Sequence, residues 1–208
     1  MVSIFNLDMK MKLFFLTCVV FLINALQIAT ATAAAIQIIA FGGSNTFGKN
    51  LPRSNAYPAQ LETLLKADGY DVIVVNQGTN GQTTADELSK IDSIISGNPS
   101  IVIFQPGGND SKESNKHPIV TNTKDNIEKI VQRLVDHKIL VIFSGGAKKR
   151  GFVEKFEIPT IDELSHLAPD DFQPDNEHLT AKGYGIVANK LLPVVEELLK
   201  KISSQSPK

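Results

Sequence analysis

"IQIIAFGGSNTFGKN", residues 36–50, decides how the rest of the chain is read. An Ile-rich run stops at two glycines, and a serine and a Gly-Lys pair follow. A short apolar run bounded by glycine reads as a strand covered on both faces, so the polar segment is a strand exit. Two chemistries suit such an exit. Gly43–Asn50 lies one residue away from the phosphate-loop pattern G-x-x-x-x-G-K-[ST], and the same turn suits a nucleophilic Ser44. The phosphate reading fits poorly. The last hydroxyl of that pattern ligates magnesium, and Asn50 replaces it; Pro52 stands where the following helix should run.

Three more runs resemble the first: "DVIVVN" (71–76), "IVIFQ" (101–105) and "ILVIF" (139–143). Helical periodicity alternates with them. Leu61, Leu64 and Leu65 share one face, as do Leu88, Ile91, Ile94 and Ile95, and then Ile127, Ile130, Val131, Leu134 and Val135. A last helix is expected after Thr180, its N-cap, with an interruption at Pro193. Strand alternating with helix predicts a three-layer α/β/α sandwich with a mainly parallel, flavodoxin-like sheet. In such folds the reactive residues gather at the carboxyl ends of the strands. "GGSNTFG", "QGTNGQTT" and "PGGND" follow the first three strands, so these segments are expected to converge.

The chain has 208 residues, 42% of them apolar and 21% charged, which suits one domain with one sizeable core. A formal net charge of −1 gives no basic surface for nucleic acid. The beginning of the chain is different. Lys10 and Lys12 precede "LFFLTCVVFLINALQIA" and the small-residue stretch "TATAAA". This pattern predicts a signal peptide over residues 1–33, cut after Ala31 or Ala33, and a single domain over 34–208. The expected location is secreted or periplasmic, with no stable membrane anchor after cleavage; an uncleaved anchor is the alternative. Cys18, the one cysteine, lies inside this leader, so any nucleophile or metal site must use other residues.

A serine nucleophile needs a base, an acid to orient it and donors for the oxyanion. "PDNEHLTAKGYGIVA" (174–188) offers the base, with Asp175 and His178 three residues apart ahead of the last helix. On a short turn both side chains can point the same way. One imidazole nitrogen then faces the aspartate and the other faces Ser44.

Four blocks together resemble the SGNH hydrolases, the GDSL-type esterases and lipases, and in particular their small secreted bacterial thioesterase, lysophospholipase and arylesterase group. "FGGSNTFG" is similar to the block normally written G-D-S, "VVNQGTNGQTT" to the second, "GGND" to the third and "DNEHLTAKGY" to the last. The resemblance implies Ser44 as nucleophile, His178 as base and Asp175 as its partner. It also implies an oxyanion hole of the Ser44 and Gly81 N–H groups and the Asn109 amide. No cofactor or metal is implied, and the substrate would be a small-molecule or lipid acyl ester. A sugar acyltransferase or deacetylase with the same triad, or a weakened binding protein of the same fold, are alternatives. Acyl-chain length and oligomeric state stay unread.

Two departures stand out. Gly43 replaces the family's aspartate, which ties the nucleophile turn through hydrogen bonds, so the rigidity of that turn is in doubt. Only a short segment separates "VIFSGG" from Asp175; a helix is expected to be absent there, with "FEIPTIDEL" (156–164) supplying a short strand. "AKKR" (147–150) reads as a solvated loop, with Arg150 a candidate for a substrate carboxylate or phosphate. Asp110 reads as structural, and His117, His137 and His166 as solvated.

Overall fold

In the computed structural model, residues 35–112 and 119–205 are described, and the expectations for residues 1–33 and His117 lie outside them. Five parallel strands form one sheet: β1 (Ile36–Gly42), β2 (Val72–Gly78), β3 (Ile101–Gln105), β4 (Leu140–Ser144) and β5 (Thr160–Ile161). Their order is β2-β1-β3-β4-β5. The helices are α1 (Ser44–Phe47), α2 (Tyr57–Ala67), α3 (Thr84–Ser96), α4 (Thr123–Asp136), α5 (Ala147–Val153) and α6 (Ala181–Gln205).

Strand alternation builds two cores. Ile38, Ala40, Ile101, Ile103 and Ile142 face one side, where Leu61 and Leu65 of α2 and Val187, Leu191 and Val195 of α6 cover them. Ile39, Phe41, Val102, Phe104 and Phe143 face the other, under Ile91 of α3, Ile127 and Ile130 of α4, and Val153 of α5. Burial on both faces is the reason these strands are almost continuously apolar. The expected three-layer sandwich is therefore what forms. At the open edge, Glu62 reaches from α2 and accepts the Val74 N–H at 2.7 Å, covering a donor that an edge strand would otherwise expose.

Two expectations need correction. A helix does fill the segment after β4: α5 begins at Ala147, so "AKKR" is its first turn rather than a loop. With seven residues and only Val153 buried, it is too short to write a helical period into the sequence. The strand expected within 156–164 is present, but as two residues, Thr160–Ile161. Pro193 also fails to interrupt α6, which runs unbroken for 25 residues. Pro193 and Asn189 are both exposed, so the carbonyl four residues back that loses its N–H partner can turn to water.

The strand order locates the crevice. From β1 the chain crosses to β2 on one side, and then to β3 on the other. Connections leave β1 and β3 in opposite directions, and the loops beyond their carboxyl ends part to leave an opening. Ser44 follows β1 and Asn109 follows β3.

Candidate active site

Ser44 opens α1, a single turn that begins immediately after β1. Its Oγ lies 2.8 Å from His178 Nε2, and His178 Nδ1 lies 2.7 Å from Asp175 Oδ2. A carboxylate only accepts, so Nδ1–H donates to Asp175 and Nε2 is left to accept the serine hydroxyl. His178 is 3% exposed, which keeps water from competing for either nitrogen. The other oxygen of Asp175 accepts the backbone N–H groups of Glu177 and His178, both at 3.0 Å. Those bonds and the imidazole hold the Asp175 carboxyl far below the usual carboxylate range.

The loop carrying Asp175 and His178 is clamped to the nucleophile loop. Gln173 donates to the carbonyls of Leu179 at 2.7 Å and Lys49 at 2.9 Å, and accepts from Asn50 at 3.1 Å. Asn45 donates to the Glu177 carbonyl and accepts the Tyr184 hydroxyl at 3.1 Å. Asn50, the residue that spoils the phosphate-loop pattern, is thus a latch between two loops. Pairing with Gln173, more than a hundred residues away, leaves no local mark in the sequence.

Gly43 does not leave the turn loose. Thr46, fully buried, donates its hydroxyl to Gln105 Oε1 at 2.7 Å, while Asn76 donates to the Thr46 carbonyl at 2.8 Å and accepts the Gly78 N–H at 3.0 Å. These bonds, from β2 and β3, hold the turn without an aspartate. Space explains the glycine. A β-carbon on Gly43 would lie 2.8 Å from Gly107 Cα, closer than real contacts allow, so the two glycines pass where no side chain fits.

Gly81, with φ of 74°, sits in the left-handed region that suits glycine, beyond β2. Asn109 donates to the Gln82 carbonyl at 2.9 Å, which fixes the orientation of its amide. Asp110 accepts from the backbone and hydroxyl of Thr84 at 2.7 and 2.6 Å and from the Thr123 hydroxyl, the structural role expected of it. Ser44, Gly81, Asn109 and His178 all line one cleft of about 380 Å³. Asp175 stands behind His178. The three loops expected to converge do so.

A second cleft, about 440 Å³, opens on the other side of Ser44 between Gly107–Gly108 and Gly145–Gly146. Its lining includes Glu163, which accepts from Ser144 at 3.1 Å and Gln105 at 3.4 Å, and whose carboxyl is pushed upward by burial. Leu164, 41% exposed, borders both clefts. Arg150 does not serve as a free cation here. It pairs with Asp162 at 2.8 Å and donates to the Gly145 carbonyl at 3.0 Å. His137 caps its own helix, its Nδ1 lying 2.7 Å from the Arg133 carbonyl. Among the described residues no group of three His, Cys, Asp or Glu is placed to hold a metal ion, and no helix is long and apolar enough to cross a membrane.

Comparison with known proteins points the same way as the geometry. Residues 40–164 match the GDSL-like lipase/acylhydrolase family. Over 87 residues the chain is 33% identical to esterase TesA of Pseudomonas aeruginosa, covering 41% of this chain and 43% of that protein. Over 110 residues it is 24% identical to an arylesterase of Vibrio mimicus, covering 52% of this chain and 54% of that one. The matches thus span about half the length of these curated relatives. A crystal structure of TesA superimposes with a TM-score of 0.68 at 18% identity, covering 78% of this chain and 99% of that one, which shows the shared fold.

Proposed function

The chain belongs to the GDSL-like lipase/acylhydrolase family, and we propose that it hydrolyses carboxylic esters through Ser44, His178 and Asp175. The observation that carries this reading is the unbroken line from Ser44 Oγ through the His178 ring to Asp175, with contacts of 2.8 and 2.7 Å. His178 takes the serine proton as Ser44 Oγ attacks the acyl carbonyl. The Ser44 and Gly81 N–H groups and the Asn109 amide donate to the oxyanion of the tetrahedral intermediate. His178 then hands its proton to the departing alkoxide, leaving an acyl-enzyme. Water, deprotonated by the same histidine, adds to the acyl carbon; the second intermediate collapses to free acid, and Ser44 recovers its proton. Asp175 orients the ring and stabilises it while it carries the extra proton.

The two clefts flanking Ser44 suit a small acyl ester, with acyl and alcohol parts on either side of Leu164. A thioester presents the same carbonyl and enters the same cycle. On the pattern of residues 1–33, the proposed location is secreted or periplasmic, and the working domain is residues 34–208. The test compares the protein with Ser44→Ala on p-nitrophenyl esters of increasing chain length, alongside a fluorophosphonate probe. Hydrolysis lost in Ser44→Ala and probe attached to Ser44 are expected. Equal activity in the two proteins, or a probe attached to another serine, would refute the assignment.

A further inference from the structure

We infer that Glu87 is a positioning residue for ester hydrolysis: its carboxyl, reaching in from the first turn of α3, holds the Gly107–Asn109 loop that carries the side-chain oxyanion donor. This rests on the function proposed above. Glu87 is fully buried, and its Oε1 accepts the Gly107 N–H at 2.8 Å, while Oε2 has no partner among the described residues. A helix seldom buries a carboxyl completely, since desolvation disfavours its charge.

Gly107 is where the site converges. Gly43, at the nucleophile turn, lies so near that a β-carbon there would meet Gly107 Cα at 2.8 Å. A β-carbon on Gly107 itself would come within 2.5 Å of the Gln82 carbonyl oxygen and 3.3 Å of Glu87 Oε1. That Gln82 carbonyl is also the acceptor for the Asn109 amide. Lys149 donates to the Pro106 and Gly107 carbonyls at 3.1 and 2.9 Å. Thr84, on the same turn of α3, holds Asp110 at the far end of the loop. Asn109 is therefore fixed from both sides by one helical turn. Remove the Glu87 contact and the Gly107 N–H loses its acceptor, leaving that end of the loop to the Lys149 bonds alone.

The groups facing Glu87 are Lys149, Asp110 and Asp86. Burial, the largest influence, raises its carboxyl to about 8 despite the Gly107 bond and Lys149, so at neutral pH it accepts as an uncharged group. A glutamine side chain has the same reach and an equivalent carbonyl oxygen. An aspartate keeps the carboxyl but is one methylene too short.

The test measures kcat and KM on p-nitrophenyl acetate at pH 7 for E87Q, E87D and E87L, with each fold checked by circular dichroism and melting. E87Q should hold most of the wild-type kcat. E87D and E87L should lose roughly tenfold or more in kcat with KM little changed, because an oxyanion donor acts in the transition state. Phosphonate labelling of Ser44 should slow in parallel. Where E87L does not fold, the ranking of E87Q above E87D decides. A folded E87D with wild-type kcat, or E87Q as impaired as E87D, overturns the inference. Ser44→Ala separates the two failures. If it is inactive while E87D is unimpaired, this inference alone falls; if it is active, the reading of the whole site falls.

Discussion

Thr46→Val tests whether buried hydrogen bonds hold the nucleophile turn in place of the missing aspartate. The substitution keeps shape and removes one hydroxyl. Thr46 is fully buried, and its hydroxyl donates to Gln105 Oε1 at 2.7 Å; the Tyr57 hydroxyl, at 3.5 Å, contributes little. Valine leaves that amide oxygen without its donor, a loss of about 1–3 kcal/mol for a buried acceptor. In a domain of this size each kcal/mol moves Tm by about 2–4 °C, so the expected fall is roughly 2–12 °C. The effect should reach the chemistry, because Thr46 sits two residues from Ser44 on the same short helix. A displaced nucleophile is expected to lose about 10- to 100-fold in kcat. The assay pairs a calorimetric melt with p-nitrophenyl acetate kinetics for Thr46→Val and Thr46→Ser. Serine keeps the bond and should keep kcat, although the lost buried methyl lowers Tm. A Thr46→Val protein with wild-type Tm and kcat would refute the view that this bond holds the turn.

Two further outcomes follow from the same geometry. Asn109→Ala removes a proposed oxyanion donor while leaving the Ser44–His178–Asp175 line in place, so kcat should drop by about 10²–10³-fold with KM little affected; a change confined to KM would place Asn109 in binding instead. Burial raises the Glu87 carboxyl from 4.5 to about 8. The folded state thus keeps a proton that the unfolded chain releases at lower pH. Its stabilising effect is complete below pH 4.5 and is lost as pH rises through 8, with a slope of at most about 1.4 kcal/mol per pH unit. Urea melts of wild type and E87Q across pH 5–9 should show the wild type losing ground relative to E87Q as pH rises, and parallel curves would contradict the assignment.

The layered sandwich was legible in the chain because each strand and most helices carry their own periodicity. Runs such as "IVIFQ" (101–105) need no distant partner to be recognised, and turn residues mark where they end. Ser44 was marked as a candidate by its strand exit, and Asp175 and His178 by their three-residue spacing ahead of the last helix, whereas the oxyanion roles of Gly81 and Asn109 came only with the four-block resemblance. What escaped depended on pairs far apart in sequence, or on elements too short to repeat. α5 completes no apolar period, so its first turn, residues 147–150, read as loop. Arg150 stood as a candidate for a substrate anion because Asp162, its partner, is twelve residues away and meets it only in the folded chain.

The nucleophile turn divides the two kinds of information most sharply. Sequence alone indicated an apolar strand that ends just before Ser44, and a histidine and an aspartate three residues apart near the other end of the chain. It also marked Gly43 as a gap in the pattern. Only the tertiary structure decided whether that gap matters. Thr46 reaches Gln105, Asn76 reaches the Thr46 carbonyl, and Gly43 passes Gly107 too closely for any side chain. Local sequence sets backbone preference and burial pattern, which are properties of neighbouring residues. The rigidity of a turn depends on hydrogen bonds to β2 and β3, and those exist only after the strands have come together.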